Sequence, residues 1–389
     1  MLLAYHFELQ HCNFGMLSPV KNITKLHIAS EQVRARIEVL AKHFLESLNS
    51  PNPSISILSL VCRTTESTQF QEGFSTGSFT YLSRAAQQKK SFTQLNGMRS
   101  FVKVWKLMQI VYELLQLGKK ATQRELYYRL LADSPDYFRS QQQVNDTIQD
   151  LVALLKCSRY SLGIIASSKG AVVGRLLIED ESGEVVDCTR LGPSGHIITA
   201  DLGFLEGLRF RSDARYILVV EKDAIFQRLS EDRYFQSFPA IILTAKGYPD
   251  LASRVMLYRI CKAFPGMPIL ALVDWNPAGL AIICTYKFGS TRMGLEAPRY
   301  VCDVKWLGLR GEDIELLPKE ALIEFSHKDH QLARSLLASK MLENREAYKL
   351  EVGKMMEMSK RAEIEALYAH GYDFLGHYIT QKILRLQYI

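Results

Sequence analysis

The chain has 389 residues, 47% hydrophobic, 10% aromatic and 23% charged, which excludes a disordered or collagen-like protein and allows a sizeable core. That length exceeds what one core usually fills, so two domains behind an N-terminal extension are expected. A net charge of +7 and a pI near 8.9 suit a polyanionic partner without requiring one.

Cys12, Cys62, Cys157, Cys188, Cys261, Cys284 and Cys302 stand singly, with no C-x-x-C pair and no histidines at zinc-finger spacing. Reduced thiols in a cytosolic or nuclear compartment are expected. The longest apolar runs, such as 269–273, are too short to cross a bilayer, and the start of the chain lacks a charged residue followed by an apolar signal core. Neither secretion nor membrane insertion is expected, and no basic cluster separates nucleus from cytoplasm.

From about Ala29 to Leu48, Val33, Ile37, Leu40, Phe44 and Leu48 recur at helical spacing until Pro51 and Pro53 stop the pattern. The stretch to about Asn96 is rich in Ser, Thr and Gln and contains Gly73 and Gly77. It reads as a connector with one short strand at 55–61. Residues 1–96 are therefore expected to be an extension with one helix.

From Gly97 the apolar residues Phe101, Val104, Trp105, Met108, Val111, Tyr112 and Leu115 mark a helix, and Gly118 stops it. A second helix opens at Thr122, where Glu125 completes a capping box. A third runs from about Gln141 to Leu155. Apolar runs at 163–166 and 171–176, separated by 167–170, predict a β-hairpin. Three helices and a hairpin predict a winged-helix domain over 97–195. Between Gly97 and Gly170 stand 11 Lys/Arg against 6 Asp/Glu, which suits either a DNA-facing surface or a solvated basic bundle.

Beyond 192–195 the pattern alternates strand and helix. Buried strands are expected at 215–220, 240–244 and 268–273, the first ending in Glu221 and the last in Asp274, with a helix from Leu251 to Phe264. Such alternation predicts a parallel α/β domain over 196–389 with C-terminal helices.

In open α/β sheets functional groups gather at the carboxyl ends of the strands, where Glu221 and Asp274 stand. Two acids there, with the amide oxygen of Asn276 nearby, suit a hard cation such as Mg²⁺. Strand-end acids also cap helices or pair with lysines such as Lys222. On the second helix of the basic segment, Arg124 precedes Tyr128 by about one turn. A phenol of ordinary pKa, about 10, is a poor nucleophile at neutral pH, and a nearby guanidinium favours the phenoxide and offsets phosphate charge. Adjacent tyrosines on an amphipathic helix also serve simply as packing. The residues alone leave both alternatives open.

Taken together, Arg124 to Tyr128, 168–170, Val220 to Phe226, Lys246 to Asp250 and Asp274 to Gly279 resemble one family across Gly97 to Ile389. It is that of the meiotic double-strand-break transesterases, related to the A-chain component of archaeal topoisomerase VI; within it the chain looks most like the second plant-type paralogue. The resemblance implies a winged-helix domain bearing the tyrosine, followed by a Toprim-type domain. It implies that Tyr128 is the nucleophile, aided by Arg124, and forms a 5′-phosphotyrosyl bond. It further implies that Glu221 and Asp274, helped by Asn276, hold Mg²⁺, and that Lys169, Lys246, Tyr248 and Arg254 approach DNA. Many relatives have an aspartate where this chain has Asn276, which withdraws one negative charge from the site. The implied partners are double-stranded DNA, a related A-type subunit in a homo- or heterodimer, and a topoisomerase VI B-like subunit. The implied location is the nucleus. No Walker-type phosphate loop is present, so any ATPase is expected on another chain. Two rival expectations remain: a non-catalytic DNA-binding subunit that positions an active partner, and a Toprim nuclease or primase in which Tyr128 is idle.

Overall fold

The computed structural model describes residues 28–49, 57–61, 68–72, 77–81, 87–91, 95–165, 168–290 and 300–389. The remainder of the expected connector, Gly73 included, together with Cys12, Cys62, Ala166 and Ser167, lies outside the described residues. The chain divides into two compact units. One comprises 1–69, 81–120 and 127–163, and the other 70–80, 121–126 and 164–389.

Among the described residues of the N-terminal half, four helices dominate: α1 (Ser30–Leu48), α2 (Leu95–Gln116), α3 (Gln123–Asp133) and α4 (Gln141–Leu155). Their apolar stripes close one core, in which Val33 and Ile37 of α1, Val104, Leu107 and Val111 of α2, and Val144, Ile148 and Leu151 of α4 are buried. The α1 helix is fastened to the first unit by polar contacts as well. Arg36 Nη1 donates to the carbonyl of Leu155 at 2.6 Å, near the end of α4, and Tyr112 donates to Glu38 at 2.7 Å. Ser140 starts α4 by accepting from the Gln143 N–H, and Lys156 ends it in the left-handed conformation. The capping box of α3 forms as expected: the Thr122 N–H donates to Glu125 and the Glu125 N–H to Thr122.

Among its described residues the connector contains four strands rather than one: β1 (Ile57–Val61), β2 (Thr68–Glu72), β3 (Gly77–Tyr81) and β4 (Gln87–Ser91). They pair as β1 with β4 and β2 with β3. Polar residues such as those of β2 and β4 carry little hydrophobic signal, which is why the pattern reads as loop.

The second unit contains β5 (Ala121–Thr122), β6 (Ile164–Ile165), β7 (Ala171–Gly174), β8 (Leu177–Glu179), β9 (Val185–Asp187), β10 (His196–Ile197), β11 (Arg209–Arg211), β12 (Tyr216–Val220), β13 (Ala240–Thr244), β14 (Ile269–Leu272) and β15 (Val304–Gly308). Six of these form one sheet in the order β10-β7-β13-β12-β14-β15, with β13, β12, β14 and β15 parallel. All residues of β13 and β14 are buried, as expected for strands covered on both faces. Connecting and flanking helices include α5 (Leu202–Gly207), α6 (Asp223–Glu231), α7 (Tyr234–Ser237), α8 (Leu251–Ala263), α9 (Pro277–Phe288), α10 (His327–Leu337), α11 (Glu346–Met358) and α12 (Phe374–Leu384).

The hairpin expected between 163–166 and 171–176 is not formed. β6 pairs in parallel with β5, whereas β7 lies antiparallel to β13 inside the six-stranded sheet. The physical reason is that all four residues of Ala171–Gly174 are buried, which a half-exposed hairpin strand cannot satisfy. The antiparallel hairpin that does form nearby is β8 with β9. Among the described residues no helix is long and apolar enough to cross a membrane.

Candidate functional site

β12 lies between β13 and β14, so the chain leaves β12 to one side and returns on the other. Such a reversal opens a crevice at the carboxyl ends of the strands. Glu221 directly follows β12, and Asp274 follows β14 by two residues. The Asp274 backbone N–H donates to Glu221 Oε2 at 2.9 Å. Asp274 is 4% exposed; its Oδ1 accepts from the Ile364 N–H at 2.9 Å, and its Oδ2 lies 3.2 Å from Lys222 Nζ. Burial, and then the like charge of Asp274, push the Glu221 carboxyl up to about 7. Burial also raises the Asp274 carboxyl, against the opposing pull of Lys222.

The loop between Asp274 and α9 is tightly held. The Trp275 N–H donates to the Ala362 carbonyl at 2.9 Å and the Ala362 N–H returns the bond at 3.1 Å. The Trp275 indole donates to Glu351 Oε2 at 3.0 Å, and the same oxygen accepts from the Gly311 N–H at 2.7 Å. Asn276 Oδ1 caps α9 by accepting from the Gly279 N–H at 2.8 Å. A Cβ on Gly279 would overlap the Asp274 carbonyl oxygen, so the first turn of α9 closes this near the acid only with glycine there.

Two carboxylates at adjoining strand ends are donors of the kind a divalent cation takes. Mg²⁺ is commonly bound through one or two carboxylates plus water and phosphate. The Asn276 oxygen is already engaged as a helix cap. Among the described residues no group of three or more His, Cys, Asp or Glu side chains takes metal-ligand spacing.

Around the acids, Lys169 Nζ donates to the Tyr248 carbonyl at 2.7 Å, tying the segment before β7 to the loop after β13. Gly170 permits this approach, since a Cβ there would overlap Ser253 Oγ. Tyr248 is 49% exposed; burial of its other half, and then Glu221, raise its phenol. Lys246 adopts φ +53° and its Nζ lies 3.2 Å from Asp223. Arg254 departs from the expectation that it approaches DNA. It is 1% exposed on α8 and donates to the Tyr300 carbonyl at 3.3 Å, so its guanidinium braces the core.

On α3, Arg124 and Tyr128 are both exposed, Tyr128 by 54%. Leu126 and Leu130 take the buried positions of that helix. Tyr127 is half-buried, and its ring centroid lies 5.3 Å from that of Tyr128.

Known proteins share most of this chain. It is 54% identical over 361 residues to "Meiotic recombination protein SPO11-2" of Oryza sativa subsp. japonica, covering 92% of this chain and 93% of that protein. It is 52% identical over 380 residues to the protein of the same name from Arabidopsis thaliana, covering 96% and 98%. The chain belongs to the family of Spo11 and the topoisomerase 6 A-subunits. The family's Toprim-domain model matches residues 216–383 and so spans Glu221 and Asp274. A second model, "Type IIB DNA topoisomerase", matches 99–164 and spans Arg124 and Tyr128. A more distant family member, the A3-subunit of DNA topoisomerase 6 from Oryza sativa subsp. indica, is 35% identical over 307 residues, covering 78% of this chain and 68% of that protein.

Sequence reasoning missed three acids near the site. Glu351 reaches Trp275 from α11, and Glu363 and Glu365 both reach Lys222. Lys222 was legible as a possible partner of a strand-end acid. Nothing in the spacing of Glu363 and Glu365, more than 80 residues downstream of Asp274, joins them to it.

Proposed function

We propose that this chain is a DNA-cleaving transesterase that makes the double-strand breaks of meiotic recombination, with Tyr128 as its nucleophile. The observation that carries this reading is the exposure of Tyr128: a packing tyrosine would turn inward, and Leu126 and Leu130 already fill that role. Family membership supports it, because the relatives are named as meiotic recombination proteins and topoisomerase subunits.

In the proposed reaction Tyr128 Oη attacks a DNA phosphorus as its proton leaves. The new P–O bond forms a 5′-phosphotyrosyl link while the bond to the 3′-oxygen breaks, and that oxygen takes up a proton as a free 3′-hydroxyl. Neither water nor ATP is consumed. Arg124, four residues before Tyr128, offsets charge on the phosphate. Glu221 and Asp274 would hold Mg²⁺, with Asn276 a minor contributor, and the ion would supply charge stabilisation to the leaving oxygen and neighbouring phosphate. Lys169, Lys246 and Tyr248 are the proposed DNA-facing residues of the second unit, where backbone contacts set register.

The helices α2 to α4 are read as a winged-helix type of DNA-binding domain. Two A-type chains, identical or related, cut the two strands together, joined by a topoisomerase VI B-like subunit. Chromosomal DNA as substrate places the protein in the nucleus. The test is Tyr128→Phe: purified complexes should lose protein-linked DNA on denaturing gels. Free 5′-phosphate ends with no attached protein would support the nuclease reading instead.

One observation favours a second reading, in which the chain positions an active partner. Asn276 both lacks a charge and spends its oxygen on capping α9. Breaks persisting at normal level in cells carrying Tyr128→Phe would establish that reading.

A further inference from the structure

Lys222 follows Glu221 directly, yet its ammonium turns to other acids. Its Nζ lies 3.2 Å from Asp274 Oδ2, 3.0 Å from Glu363 Oε2 and 2.5 Å from Glu365 Oε2. The two glutamates are brought there by backbone. Ala362 is bridged to Trp275 in both directions, and the Ile364 N–H holds the other oxygen of Asp274. The segment 362–365 is thus fixed along the Asp274 loop, and Lys222 is clasped between one deeply buried carboxylate and two partly exposed ones.

The burial gradient decides what this clasp can do. The Asp274 side chain is 6% exposed and that of Lys222 23%, whereas Glu363 and Glu365 are 42% and 37% exposed. An ammonium and a divalent cation cannot both sit against Asp274 Oδ2 without strong repulsion in so dry a place. Moved off Asp274, the ammonium still has Glu363 and Glu365 to hold it at the wetter side, so its displacement costs little desolvation.

We infer that Lys222 is a positioning residue: it is the resident counter-ion of Asp274, and a divalent cation enters by displacing its ammonium onto Glu363 and Glu365. The inference rests on the metal reading given above. Under it, cation affinity is set by where Lys222 sits, and the two glutamates act on the metal through the lysine.

The test is Mn²⁺ binding to the full chain, followed by calorimetry and by the spin-resonance signal of free Mn²⁺. Lys222→Met should lower the Mn²⁺ dissociation constant by about fivefold, an outcome a merely structural lysine would not give. Lys222→Arg, which keeps the charge, should stay near the parent value. Glu363→Gln with Glu365→Gln should weaken binding by about threefold as the ammonium settles on Asp274, and should do less in the Lys222→Met background. The glutamate pair provides the test even if Lys222→Met fails to fold. Unchanged or weaker binding in folded Lys222→Met, or no weakening in the glutamate pair, overturns the inference when Glu221→Ala abolishes binding. Mn²⁺ binding indifferent to Glu221→Ala would instead overturn the metal reading and this inference with it.

Discussion

The backbone N–H of Asp274 points into the carboxylate of Glu221, meeting Oε2 at 2.9 Å. Together with the Glu221 N–H, which donates to the Leu272 carbonyl at 3.0 Å, this bond joins the ends of two neighbouring strands, β12 and β14, and fixes two acids beside each other before any cation arrives. The arrangement is electrostatically uphill, since burial and like charge push Glu221 up to about 7.

A pH dependence follows. The folded value lies above the ordinary glutamate value of 4.5, so on raising the pH the unfolded chain releases this proton first. The stability it contributes is fully present below about pH 4.5 and is lost as pH climbs through about 7. In EDTA, thermal melting should show a loss on the order of 2 kcal/mol across that window, discounted for partial exposure. Glu221→Gln should flatten the profile; an unchanged slope in that variant would refute the assignment to Glu221.

Asn276 separates capping from charge. Asn276→Ala removes the acceptor for the Gly279 N–H and should cost about 1 kcal/mol in urea unfolding. Asn276→Asp keeps the cap and adds a third carboxylate at a buried position, so calorimetry should show tighter Mn²⁺ binding while urea unfolding in EDTA shows lower stability. Equal Mn²⁺ affinity in the aspartate variant would mean that position 276 does not face the cation.

Glu351 supports the site from a distance. Its Oε2 accepts from both the Trp275 indole and the Gly311 N–H, and Glu351 is buried. Glu351→Leu leaves two donors unpaired, the buried Trp275 indole and the half-buried Gly311 N–H, and should cost about 3 kcal/mol by denaturant unfolding, whereas Glu351→Gln retains an acceptor and should cost less. Similar losses in the two variants would show that the hydrogen bonds do not carry the effect.

The parallel strands were legible because 216–220, 240–244 and 269–272 are short apolar runs bounded by acids, glycine or proline, and burial on both faces demands that pattern. The capping box at Thr122 was legible for a local reason, the three-residue spacing to Glu125. β7 was misread because a buried strand looks alike in a hairpin and in a central sheet; only its long-range partner β13 decides. Arg254 was misread because its charge suggested surface, while its environment on α8 is set by packing that leaves no trace in spacing. Glu351, Glu363 and Glu365 could not be read at all, since each meets the Asp274 region through contacts that only the folded chain creates.

Mapping the covalent link between protein and DNA tests the central claim most directly. Peptides recovered from meiotic cells after nuclease and protease digestion should carry nucleotide on Tyr128, and Glu221→Ala should abolish the adduct as the metal-site control. Nucleotide on a different residue, or breaks at normal level in cells whose only copy carries Tyr128→Phe, would contradict the account.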